Sequence, residues 1–208
     1  MRETARWQSE TRVHLDHVQL VDEDLAWLQS ATQVRAWAVK TPDGFWSRLP
    51  NLEWLTITGG TGHDTDVVRG CHRLRWLEIN QVRGVESLDA LLDLSGLEFL
   101  SLYGLPRVRS MPSLASLKRL RYAVVGSMKG LTSIAGLMDA PNLQELTLLR
   151  AVGLDAADAA LIAQHPSLRA FEWFAEDVPD RTWVPVVNAV DKAKPTVNGL
   201  TWPLPNAG

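Results

Sequence analysis

Residues Leu94–Leu117 read LSGLEFLSLYGLPRVRSMPSLASL, and the spacing of apolar positions in this stretch decides the fold. Leu97, Leu100 and Leu102 make the pattern apolar-x-x-apolar-x-apolar. Successive strand side chains alternate between faces, so Leu100 and Leu102 point one way while Phe99 and Ser101 point the other. Beyond the strand, Leu105, Val108, Met111 and Leu114 recur every third residue, a spacing that suits an irregular or 3₁₀ return segment.

The same unit recurs outward in both directions. Its first, fourth and sixth positions are Val34/Trp37/Val39, Leu52/Leu55/Ile57, Leu74/Leu77/Ile79, Leu97/Leu100/Leu102, Leu120/Ala123/Val125, Leu143/Leu146/Leu148 and Leu168/Phe171/Trp173. Successive starts lie 18, 22, 23, 23, 23 and 25 residues apart. A degenerate copy, Val13 and Leu15, precedes Trp37 by 24, and a last copy, Val197/Leu200/Trp202, follows 29 residues on. Three residues before each start is another apolar slot: Ala31, Leu49, Cys71, Leu94, Leu117 and Ala140. The single cysteine is thereby read as a core residue rather than a reactive thiol.

A period of this length over so many units is the mark of a repeat architecture, in which no unit can bury its apolar side alone. On the stretches Leu94–Leu117 and Gly130–Leu148 (GLTSIAGLMDAPNLQELTL), the chain resembles the leucine-rich repeat family, in its short bacterial type, over nearly its full length. The resemblance implies an α/β repeat solenoid with a parallel sheet on the concave face. It also implies short 3₁₀, helical or irregular returns, with helices mainly near the ends. The organisation expected is a single solenoid over 1–208: a capping unit at 1–33, central repeats at 34–176, and a capping helix with a last strand at 177–208. Helices are expected at 22–30, 155–164 and 180–193, behind acidic caps. One feature departs from the family. Position 9, often Asn or Cys there, is here Pro42, Gly60, Val82, Leu105, Met128, Ala151 and Glu176, so no asparagine ladder can satisfy the turns.

The outward positions carry the functional reading. Position 3 is Trp54, Trp76, Phe99 and Tyr122 in four consecutive units, followed by Glu145. Strands about 4.8 Å apart would line these rings into an exposed row about 14 Å long. Around it lie Arg75 and Arg121 at position 2, Glu78 at position 5, and Asn80 and Tyr103 at position 7. Aromatic and Arg side chains are the usual anchors of protein interfaces. The expected function is therefore a non-catalytic module, adaptor-like, that binds another protein through these ten residues. Self-association belongs to the same class, as does a toxin-neutralising, immunity-type binder. Alternatives are a carbohydrate or small-ligand receptor, an enzyme using the Gly-rich loop 59–66, and a covered row, with the tail after Trp202 or the N-terminal segment folded over the rings. Of the other tryptophans, Trp37, Trp173 and Trp202 are assigned to core positions, Trp27 and Trp183 to helix core faces, and Trp7 and Trp46 to no slot.

Composition narrows the classes further. A net charge of −3 offers no basic footprint for nucleic acid or an anionic membrane. No leader or membrane span is read in the chain, and with one cysteine no internal disulfide can form, so a cytoplasmic protein is expected. The loop Thr58–Asp66 (TGGTGHDTD) looks most like chemistry, yet it lacks the Lys-Ser/Thr of a phosphate loop, and His63, Asp64 and Asp66 are too few for a metal cage. Asp22/Asp24 and Asp155/Asp158 are read as helix-start charges. No catalytic residue, metal ligand or cofactor is assigned.

Overall fold

The computed structural model describes residues 5–154 and 156–196. One nine-stranded sheet runs in chain order: β1 (Arg6–Trp7), β2 (Arg12–Asp16), β3 (Gln33–Trp37), β4 (Trp54–Thr58), β5 (Trp76–Asn80), β6 (Phe99–Tyr103), β7 (Tyr122–Met128), β8 (Glu145–Val152) and β9 (Ala170–Phe174). From β2 onward every pair is parallel and in step over positions 3 to 7, so these positions stack into straight rows, and the register shifts only between Gly126 and Met128 of β7. Only β1 runs antiparallel, pairing with β2 and covering what would be an open edge.

Positions 4 and 6 face one continuous core, from Val13 and Leu15 at one end to Phe171 and Trp173 at the other. Cys71 is buried in it, and burial pushes its thiol up to about 12.

The first two units need a correction. Val34 pairs with Leu55 and Ala36 with Ile57, which makes Ala31, Val34 and Ala36 positions 1, 4 and 6. Val13 in turn pairs with Val34, not Trp37. The template fits both Ala31/Val34/Ala36 and Val34/Trp37/Val39, and bulk favoured the second. Stacking decides otherwise, because each strand must hydrogen-bond in step with the next. Trp37 therefore takes position 7, faces outward and is 49% exposed. The last expected copy, Val197/Leu200/Trp202, lies outside the described residues. The place beside Ala170 is taken by Ala193, whose carbonyl accepts the Phe171 N–H at 2.9 Å.

Backbone solves the turn that the missing asparagines left open. Position 8 has positive φ in seven consecutive units: His17, Ala38, Gly59, Gln81, Gly104, Ser127 and Arg150, between 49° and 68°. In the first five its N–H donates to the position 7 carbonyl of the next strand, at 2.7–2.9 Å. Only two of the seven are glycine. The other five hold a left-handed conformation costing about 1 kcal/mol each, which the ladder bond offsets at His17, Ala38 and Gln81.

Most returns are single 3₁₀ turns, at Trp46–Arg48, Asp66–Val68, Asp89–Asp93 and Leu114–Ser116. Phe45 and Trp46, for which the repeat pattern has no slot, meet edge to face at 5.2 Å and fill the core beneath the first of them. Helices α1 (Leu25–Leu28) and α2 (Ala135–Met138) are one turn each; α3 (Ala156–Gln164) and α4 (Asp180–Ala189) are the longer ones, in the longer last units. The expected helix at 22–30 thus shrinks to a 3₁₀ turn, Asp22–Asp24, plus α1. Asp24 is buried there and accepts from the Val21 N–H and the Trp27 indole, both at 2.9 Å. Asp158 is more than a helix-start charge. Fully buried on α3, it accepts from Ser133 Oγ at 2.6 Å and from the Ile134 N–H at 3.1 Å, tying α3 to the preceding return.

Candidate binding face

The outward face of the sheet carries its own apolar cluster, separate from the solenoid core. It consists of Trp54, Trp76, Phe99 and Val124, with Tyr122 and Leu149 packed against it. Register places Trp54, Trp76, Phe99 and Tyr122 on adjacent strands at one position, as the repeat requires. Trp54 and Trp76 stack with centroids 4.0 Å apart and planes 19° apart; Trp76 and Phe99 stack at 3.6 Å and 8°. The indole N–H groups are used as well. Trp54 Nε1 donates to Thr56 Oγ1 at 3.1 Å, and Trp76 Nε1 to Glu78 Oε1 at 2.5 Å.

The row is not open, contrary to the expectation of four exposed rings. Trp54 is 8% exposed, Trp76 1% and Phe99 0%; Tyr122 is half-buried. Side-chain alternation predicts which way a residue points but says nothing about what lies above it. Stacking hides the ring faces, and the outer edges are covered too.

The flanking rows form a polar frame. Arg75 joins Glu98 through two bonds, Nε to Oε1 at 2.9 Å and Nη2 to Oε2 at 3.0 Å, with Glu53 at 3.9 Å on its other side. Arg121 is exposed. Glu78 sits partly buried beside Trp76, and burial raises its carboxyl above the ordinary glutamate range, while the Trp76 N–H and the charge of Arg35 act in the opposite sense. Asn80 Oδ1 is buried without a hydrogen-bond partner. At position 7 Tyr103 leans over Gly126, where an added Cβ would lie 2.7 Å from its ring, so that glycine makes room for the tyrosine. Glu145 accepts from Thr196 at both carboxylate oxygens, each at 2.7 Å.

Position 7 also carries two exposed aromatics that are not among the ten expected site residues: Trp37, missed through the register slip, and Phe174, an outward position in the sequence as well and 48% exposed.

Stacked in-step strands, a left-handed turn after each, 3₁₀ returns and an apolar ladder together define the architecture. The fold is a leucine-rich-repeat solenoid. Solved structures agree. Over 83% of this chain and 76% of the other, the solenoid superposes on an internalin C2 from Listeria monocytogenes with a TM-score of 0.59 at 14% identity. An internalin (inlF) from the same organism matches 89% of this chain and 67% of its own at 15% identity, with a TM-score of 0.35. No protein-family model and no curated protein matches the chain.

Chemistry elsewhere on the solenoid is sparse. In the Thr58–Asp66 loop the Gly59 N–H donates to the Asn80 carbonyl at 2.8 Å and the Gly62 N–H to that of Arg83 at 2.9 Å. Those donors hold the next unit and do not cradle an anion. Among the described residues no group of three or more His, Cys, Asp or Glu is placed to hold a metal, and no helix is long and apolar enough to cross a membrane.

Proposed function

We propose that this protein is a non-catalytic binding module that takes a protein partner on its concave sheet face. The observation that supports this is the second apolar cluster. The solenoid core is complete without Trp54, Trp76, Phe99 and Tyr122, yet they form a continuous aromatic strip on the face that points away from it. Exposed apolar groups on one face are the usual mark of an interaction site, and Trp37, Tyr103, Tyr122 and Phe174 supply them beside the buried strip. Around the strip, Tyr103, Tyr122, Arg121 and Glu145 offer partly accessible aromatic and charged anchors. Asn80 brings an acceptor whose buried oxygen lacks a donor, and Arg75, Glu78 and Glu98 set a charged margin. A cytoplasmic setting belongs to the same proposal.

Affinity capture with the chain, mass-spectrometric identification and titration of the purified partner test this reading. The double variant Tyr103→Ala/Tyr122→Ala should weaken binding by more than about tenfold, the ~1.4 kcal/mol or more typical of lost aromatic anchors. The far-ultraviolet circular dichroism should not change. An identified partner that binds the double variant as tightly as the parent refutes the face. Binding to glycans alone would favour the carbohydrate alternative.

A further inference from the structure

We propose that the gap beside Gly60 is a binding site for a small organic cation, a protonated amine carried on an apolar body. The solenoid core is open at this one unit. Among the described residues, position 6 is at most 5% exposed in every unit from Leu15 to Trp173 except at Ile57, which is only partly buried. In the register set by strand pairing, position 9 carries Val39, Val82, Leu105 and Met128 in neighbouring units, but Gly60 in the unit of Ile57. Position 12 is Val85, Val108 and Leu131 in the units that follow, and the exposed His63 in this one. A single unit therefore lacks both of the side chains that would close the apolar ladder over Ile57.

The gap opens into a cavity of about 640 Å³, within the range of small-molecule sites, roughly 300–1,000 Å³. Val39, Ile57, Val67 and Val82 line it with apolar surface. Gly60 has φ 81°, and a Cβ added there would meet only the Ala38 Cα, at 3.7 Å. Left-handed backbone, not crowding, keeps a side chain out of the space. The wall is fixed before any ligand arrives. The Gly59 N–H donates to the Asn80 carbonyl at 2.8 Å, the Gly62 N–H to the Arg83 carbonyl at 2.9 Å, and the Arg83 N–H to the Gly60 carbonyl at 3.1 Å. A preformed wall spares a ligand the cost of ordering the loop.

Charge selects the occupant. The charged lining residues are three carboxylates, Asp43, Asp64 and Asp66, and one guanidinium, Arg69. Arg69 is engaged by Asp66 at 2.6 Å and by Asp93 at 3.4 Å, which leaves Asp43 and Asp64 without an ion pair among the described residues. The rim is thus net negative above an apolar floor. An anion would be repelled there, and a bare metal ion would gain nothing from the valine and isoleucine side chains beneath. An amine on an apolar body satisfies rim and floor together. A lysine side chain of another protein would bring the same amine on a stem much smaller than the cavity, so a free molecule fits better.

The site lies past the turn that follows β4, at the edge of the sheet, and is tested without any protein partner. Phenethylamine is the probe, followed by heteronuclear NMR of the backbone amides. At millimolar concentration it should shift Gly59, Gly60 and Gly62 and leave Gly104, in the equivalent turn after β6, unmoved. Phenethyl alcohol and phenylpropionate, neutral and anionic molecules of similar shape, should shift them several-fold less. Asp43→Asn/Asp64→Asn, at exposed rim positions, should remove the advantage of the amine over the alcohol, as should high salt. Val39→Phe, which fills the cavity, should abolish the response, and the rim variant keeps the test valid if Val39→Phe does not fold. Amides unmoved by the amine, equal shifts from all three probes, or a response that survives in folded Val39→Phe overturns the site. A stronger response to Nα-acetyl-lysine methylamide than to phenethylamine would reassign the amine to a protein side chain and overturn the small-molecule reading. Partner capture on the concave face with an unresponsive cavity retires this site alone; a responsive cavity with no partner captured retires the function proposed above and leaves the site standing.

Discussion

Replacing Trp76 is the sharpest test of how the outward face is built. Its ring is 1% exposed and sits between Trp54 at 4.0 Å and Phe99 at 3.6 Å. Trp76→Ala removes a fully buried indole and both stacks, and should cost about 3–5 kcal/mol, of which each stacked pair accounts for about 0.5–1.5. Trp76→Phe keeps a ring in the stack but removes the N–H that donates to Glu78. It should cost about 1–3 kcal/mol, the value of a hydrogen bond to a charged group. Trp37→Ala, at a position 49% exposed, should cost about 1 kcal/mol or less. Urea unfolding followed by far-ultraviolet circular dichroism orders the three variants. If Trp76→Ala costs no more than Trp37→Ala, the row is open to solvent and the account of a second, covered cluster is wrong.

Other perturbations probe the returns and the charges. Asp158→Ala strands two donors, Ser133 Oγ and the Ile134 N–H, in a buried site; a loss of about 2–4 kcal/mol is expected by urea titration, and an effect near zero would show that α3 is not tied there. Gly153→Ala places a Cβ 1.7 Å from the Leu131 carbonyl oxygen, whereas Gly62→Ala meets nothing nearer than 3.7 Å. The first should therefore destabilise by about 1–3 kcal/mol and the second should be close to neutral; equal thermal midpoints would contradict the backbone approach. Glu78 is raised chiefly by burial, so the native state keeps its proton above the ordinary value of 4.5, and stability falls as pH rises from there through the raised native value. Glu78→Gln should accordingly be more stable than the parent at about pH 8 and lose that advantage near pH 4; a gap independent of pH excludes the effect. Cys71, with a thiol pushed up to about 12, should resist iodoacetamide in the native state and react once urea unfolds the chain; rapid native labelling would place it outside the core.

The fold was legible in the sequence because its evidence is redundant. Each of Leu52, Leu74, Leu97, Leu120 and Leu143 repeats the same local rule, so an error in one unit is outvoted by the others. Where redundancy thins, the reading slipped. Ala31 and Ala36 are weak apolar signals, and the bulk of Trp37 pulled the first frame three residues forward. The left-handed turn was hidden for a different reason: five of its seven residues are not glycine, and three of those, His17, Ala38 and Gln81, are held there by the carbonyl of the following strand. A constraint that comes from the neighbouring unit leaves no mark on the residue that bears it. Asp158 is a similar case, since its partners Ser133 and Ile134 come from the preceding return.

The aromatic strip shows the same boundary at the level of function. Direction is a local property: Phe99 follows Glu98 and precedes Leu100, and alternation alone turns it outward. Cover is non-local. Whether a ring that points outward meets water depends on what the neighbouring strands pack around it, as Trp54 and Phe99 do on either side of Trp76. That packing also changes what conservative substitutions at position 3 should do. On an open face, Phe99→Leu would exchange one exposed apolar group for another at little cost. In the buried row it removes a ring from a stack set at 3.6 Å and leaves Trp76 without that neighbour. The face then behaves as a second core and not as a surface with a few anchors, and substitutions in the stack act on stability.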